Sequence, residues 1–139
     1  MSLSTEQAQI EFLTATRSAM ELALINVSEE KTAKYTNLSG QLAALTSAMA
    51  AETDAVRKAL SQDASSQEYQ QMRDAIEEIE QQYEVLIQNI RDQMTRAESD
   101  LDTKQESIET QLEVIRSMLD SWKEARDDTV EDTFSYFQT

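Results

Sequence analysis

Apolar and polar positions repeat with a helical period over most of this chain. From Tyr69 onward, Tyr69, Met72, Ile76, Ile79, Tyr83, Leu86 and Ile90 follow one another at alternating steps of three and four. That is the heptad spacing by which one helix offers a seam to another. The seam continues as Met94, Ala97, Leu101, Ile108, Leu112, Ile115, Leu119 and Trp122. Two successive steps of four, from Leu86 to Ile90 to Met94, form a stutter that locally unwinds a left-handed supercoil. A second irregularity falls at Lys104 and Gln105, where the seam needs an apolar group and meets polar ones.

The first half shows the same period less sharply. Ile10, Leu13, Met20, Leu24, Val27, Tyr35, Leu38, Leu42, Leu45, Met49 and Val56 keep helical spacing, with Lys31 and Glu52 interrupting at seam positions. Ser4 with Gln7 three residues on has the form of a capping box and sets the helix start near Thr5. Gly40 lies inside the pattern at a cost of about 1 kcal/mol relative to Ala. Leu38, Leu42 and Leu45 keep phase across it, so the helix is expected to continue. Only the stretch Ser61, Gln62, Asp63, Ala64, Ser65 and Ser66 has neither a seam nor strong helix formers, and Ser65 with Glu68 offers another capping box. So short a connection makes its flanking helices antiparallel neighbours.

These signals predict an all-α fold, a long antiparallel two-helix coiled-coil hairpin forming a single domain over residues 1–139. Helix one is expected over about 5–60, the connection over 61–66, helix two over about 67–132, and an aromatic tail over 133–139. Arms of that length reach roughly 80 to 100 Å at about 1.5 Å per residue. A hairpin with one thin core has much surface for its mass, so further burial against other chains is expected.

Composition sharpens this picture. One Gly, no Pro, no Cys and no His leave almost nothing from which to build tight turns or ligand-cradling loops. A net charge of −15, from 27 acids against 12 bases, argues against a basic face for nucleic acid or an anionic membrane. The absence of Cys removes disulfides, thiolate metal sites and thiol nucleophiles together. No run of about 18 apolar residues is present to span a bilayer. MSLSTEQAQ at the start has no basic region of the kind a signal peptide carries, so a cytoplasmic location is the default expectation, with export without a cleaved signal also compatible.

Candidate chemistry is soon exhausted. Carboxylate pairs such as Glu77 with Glu78, Asp127 with Asp128 and Glu131 with Asp132 need a walled pocket to separate their pKa values, and a two-helix hairpin supplies none. Without His there is no Glu-x-x-His di-iron signature and no activated Ser or Thr, and no glycine-rich phosphate loop occurs. The sequence thus points away from an enzyme and names no catalytic residue, cofactor or metal ligand.

The two arms differ in kind. Residues 1 to 60 hold most of the alanine and carry seven acids against five bases, while residues 61 to 139 carry twenty acids against seven. Net charges are −2 and −13. Small residues such as Ala43, Ala44, Ala48, Ala50, Ala51 and Ala55 either serve helix propensity alone or let other backbones approach the first helix closely, which would suit an inner helix walled by acidic second helices. Phe134, Tyr136 and Phe137 crowd the end of the chain off the seam. With the turn centred near Ala64, residue i faces roughly 128 − i, so these aromatics project past the start of helix one. An assembly interface is therefore expected from Phe134, Tyr136 and Phe137 against Ile10, Phe12 and Leu13 of a neighbouring chain.

Two long helices, a Ser/Thr/Gln-rich start, no Cys, and Phe134, Tyr136 and Phe137 after a heptad seam resemble the helical-hairpin needle and filament subunits of type III secretion systems. The likeness is one of layout over most of the chain. It implies a subunit that stacks helically with copies of itself into a polymer. From the residues alone, the expected function is a self-assembling structural subunit of a filament or higher oligomer. The alternative is a cytoplasmic coiled-coil adaptor or export chaperone of a secretion or flagellar machine, partnered by other coiled-coil proteins.

Overall fold

The computed structural model describes Ser2–Gln138; Met1 and Thr139 lie outside the described residues. The fold is all-α, with two long antiparallel helices packed against each other, α1 at Leu3–Lys58 and α2 at Ser66–Gln138. With no Pro to remove a backbone donor and a single Gly, nothing in 56 and then 73 residues interrupts the backbone ladder.

The ends of the helices follow from local chemistry. Ser2, rather than Ser4, caps α1: its Oγ accepts from the backbone N–H of Thr5 at 3.2 Å, so the helix opens two residues earlier than expected. Ser65 caps α2 as its spacing from Glu68 foretold, its Oγ accepting from the Glu68 N–H at 3.2 Å. Between them the chain turns with no positive φ among the described residues. In place of the usual left-handed glycine, α1 tightens at its end, Leu60 N–H donating to Arg57 O at 3.2 Å, and Ala64 N–H closes a turn onto Ser61 O at 3.2 Å. Arg57 and Lys58 in the last turn of α1 complement its dipole. The aromatic residues are no separate tail. α2 runs through them to Gln138, since no Pro or Gly stops it and Thr133 bonds back to Thr129 O at 2.8 Å.

By compactness the chain divides into a terminal unit, Met1–Glu30 with Leu101–Thr139, and a turn unit, Lys31–Asp100. In the terminal unit Ile10, Leu13, Ile115 and Leu119 form a buried cluster against which Met20 and Trp122 pack. Val27, Leu101 and Leu112 are also buried there. In the turn unit, Ile76, Ile87 and Ile90 of α2 are buried. From α1 only Thr53 is fully covered, while Leu38, Leu42, Leu45, Met49 and Val56 remain half-buried.

Four seam assignments are corrected by the structure. Ile87 is buried and Leu86 is 49% exposed, which moves the stutter back to Ile79, Tyr83 and Ile87. Gln105, not Lys104, takes the half-buried seam position; Lys104 is exposed and its Nζ stands 3.8 Å from Glu30 Oε2. Thr53 replaces Glu52 on the seam, and Tyr35 is 65% exposed. One physical reason covers all four. Steps of three and four average 3.5 residues while a helix turns every 3.6, so the buried line drifts off a strict heptad until a step of four restores it.

The facing register also differs. A residue i facing 128 − i would set Glu6 against Trp122 and Glu52 against Ile76. Within the terminal unit Glu6 instead meets Thr129, with 2.7 Å between Glu6 Oε1 and Thr129 Oγ1. Within the turn unit Glu52 meets Tyr83, the phenol O–H donating to Glu52 Oε1 at 2.8 Å. Both partners lie seven residues, one heptad, further along α2. A slip of one heptad brings the same faces together, so periodicity alone does not distinguish the two registers.

Candidate association surfaces

The end of the terminal unit is where α2 outruns α1. Glu6, in the first turn of α1, is buried beside Thr129. The single Thr129 hydroxyl hydrogen has two acceptors in reach, Glu6 Oε1 at 2.7 Å and Ala125 O at 2.9 Å. Glu6 Oε2 is buried with no hydrogen-bond partner among the described residues. From there α2 carries on past the Ser2 cap, and Phe134, Tyr136 and Phe137 are 64%, 77% and 80% exposed. The Tyr136 and Phe137 rings meet edge to face, centroids 5.7 Å apart. Val130, Phe134 and Phe137 stand at i, i+4 and i+7 and so share one face. The sequence already carried this signal in the i, i+4 and i+7 spacing of Val130, Phe134 and Phe137.

Ile10 and Leu13 are not part of an exposed patch. They are 5% and 4% exposed, held in the core by Ile115 and Leu119, so they are not available to a neighbouring chain as the expected interface required. Their i, i+3 spacing puts both on the face turned to α2. Phe12, between them in sequence, is 67% exposed and points elsewhere.

Phe12 belongs to a second surface, the face of α1 turned away from α2 in the terminal unit. Ala8, Phe12, Ala15, Ala19, Leu22 and Asn26 follow one another there at steps of four and three, all exposed, with Ile25 beside them. This is a second heptad line on the same helix, unpartnered in the chain and not recognised among the alanines of the sequence. In the turn unit the outward face of α1 carries no charge between Lys34 and Glu52.

Neither surface is a pocket. A depression on α2 lined by Gln81, Glu84, Val85, Gln88, Asn89 and Asp92 is bounded by one helix and lies open. Among the described residues no group of three or more His, Cys, Asp or Glu side chains is placed to hold a metal ion. Neither helix is long and apolar enough to cross a membrane. The hydrogen bond to Glu52, then partial burial, then the Glu52 charge raise the Tyr83 phenol above its ordinary value.

The layout shared with type III needle and filament subunits is present as a two-helix hairpin, and no family or relative links the chain to type III secretion. No protein-family model matches the chain, and no curated protein or solved structure is significantly similar to it.

Proposed function

We propose that the chain is a structural subunit that associates with copies of itself laterally, through the outward face of α1, with no reaction and no cofactor. The observation carrying this reading is the exposure of Phe12, Leu22 and Ile25, at 67%, 58% and 55%, on the side of α1 that faces away from α2. Burying one such side chain contributes roughly 1.5 to 3 kcal/mol, and the heptad spacing of Phe12 and Leu22 with Ala8, Ala15 and Ala19 suits a second helix laid alongside. Charge supports the same side. Residues 1 to 60 carry −2 and residues 61 to 139 carry −13, so copies joined through α1 keep their strongly acidic helices apart. The hairpin layout supports a filament at the level of architecture.

Sedimentation velocity from micromolar to millimolar protein tests the proposal, with electron microscopy for polymers. The wild type should associate with rising concentration and Phe12→Glu should associate less, helicity being unchanged. A wild type that remains monomeric throughout overturns the reading. Discrete dimers without polymers would favour the adaptor or chaperone instead.

A further inference from the structure

The face of α2 that packs against α1 does not stop where α1 stops. Leu119 is the most buried side chain of the chain, 1% exposed, and Phe137 stands eighteen residues beyond it. Eighteen residues are five turns at about 3.6 per turn, so Phe137 lies in line with Leu119 on the same face. Val130 lies close to that line, and Phe134 flanks it about 60° to one side. Glu6 meets Thr129 and the α1 cap is Ser2, so α1 has ended before it could cover Phe134 and Phe137. What is missing over them is a helix antiparallel to α2, placed on the prolongation of the α1 axis.

We propose that this place is taken by the same turns of α2 from a second copy, the two ends pairing about a two-fold axis. The contact continues an interface already built in the chain. Two-fold pairing makes the second α2 antiparallel to the first, the relation α1 already has, and each copy then covers the other's Phe134 and Phe137. Helix dipoles agree with this placement, although it brings the acidic ends of two α2 helices side by side. The second copy's α2 would point its C-terminal end at the first copy's α1 N-terminus. α2 has no base in its last turn to offset its dipole, and the positive end of α1 would supply the missing partner. Asp128 and Asp132 fall on the far side of α2 from Phe137 by their positions in the helical turn, so the pairing leaves them in water, while Asp127 and Glu131, one heptad and one turn before Phe134, border it. The contact is isologous, unlike the head-to-tail contact expected from the sequence, and closes on two chains. Alternated with the lateral contact of α1, it would extend into an open chain.

The inference rests on self-association but not on the α1 face, and the test separates them. Full-length Phe134→Ser/Phe137→Ser, Phe12→Glu and the combined variant are compared with wild type by sedimentation velocity, with circular dichroism as the control on folding. Phe12→Glu should retain end-paired dimers, the aromatic double variant should weaken end pairing by about tenfold or more through loss of two anchors per copy, and the combination should be monomeric. The chain has no Cys, so Thr133→Cys, one turn from Phe137 on the same face, should give one covalent dimer across the end contact with a short bis-maleimide. If the aromatic double variant associates as wild type and Thr133→Cys does not cross-link, end pairing is wrong while lateral association stands. A monomeric wild type refutes both.

Discussion

Ile87 and Leu86 offer a direct test of the packing, because the two adjacent residues exchange roles between the heptad reading and the structure. Ile87 is 9% exposed and Leu86 49%. Truncating a buried Ile or Leu to Ala costs about 2 to 5 kcal/mol, depending on how well the site collapses. Ile87 belongs to a core one layer thick with solvent on both flanks, so collapse is easy and the low end applies, about 2 kcal/mol. Leu86→Ala opens no enclosed cavity and removes only the covered half of a side chain whose full burial is worth roughly 1.5 to 3 kcal/mol. Its cost should be about 1 kcal/mol, reduced by a few tenths through the helix propensity of Ala. Urea unfolding followed by circular dichroism at low, fixed protein concentration reads both variants against wild type. The expected gap, about 1 kcal/mol, is several-fold in the unfolding constant. A Leu86→Ala variant as destabilised as Ile87→Ala would show that Leu86 holds the seam and that the stutter falls where the strict heptad puts it.

Three further outcomes follow from named positions. Gly40 lies in α1 without positive φ, and an added Cβ would meet nothing within 4 Å, so Gly40→Ala should raise stability by up to about 1 kcal/mol in thermal unfolding; destabilisation at low concentration would mean that the backbone is not helical there. The neutral Tyr83 phenol is favoured in the fold, so its contribution to stability is complete below the ordinary phenol value of 10.0 and is lost as pH rises through the raised one. Ultraviolet titration should find Tyr83 ionising at lower pH in Glu52→Gln than in wild type, and an unchanged curve would dismiss the contact. Lys104→Leu should change stability by less than about 1 kcal/mol, because only an exposed ion pair is lost. Gln105→Leu should raise stability by about 1 kcal/mol through added apolar burial; the reverse order in urea would return Lys104 to the seam.

The architecture was legible because it is written in period and omission. Tyr69 to Trp122 keep a helical repeat, Pro is absent, and Ser65 with Glu68 marks the start of α2 in so many residues. What was not legible depended on fractions of a turn. Leu86 and Ile87 are both apolar, and a step of three or four from Tyr83 differs by one residue in a line that drifts. Tyr35 was misplaced for the same reason, since the seam passes between positions 34 and 35 and leaves both exposed. Ile10 and Leu13 were assigned to an external patch with Phe12, although their own spacing already placed them inward. The outer line through Phe12, Leu22 and Asn26 was hidden among alanines, which signal helix propensity as well as close packing.

Register is the property that a heptad pattern cannot settle, and in this chain polar side chains settle it. A hairpin slipped by one heptad would keep its apolar faces together, so burial scarcely separates the two arrangements. In the slipped register the Glu6 carboxylate would stand against Trp122 rather than the Thr129 hydroxyl, and Glu52 would face Ile76 rather than the Tyr83 phenol. A hydrogen bond to a charged group is worth about 1.5 to 3 kcal/mol, and a buried carboxylate robbed of its partner costs at least as much. Glu52 is exposed and can turn to water, so its share is small; Glu6 is 3% exposed and cannot. Glu6 is therefore costly where it sits, with one oxygen unpaired, yet costlier in the competing register. Both registers carry Phe134 and Phe137 past the start of α1; the one that Glu6 selects covers one heptad more of α2, as far as Thr129, and leaves only the aromatic turns beyond it uncovered.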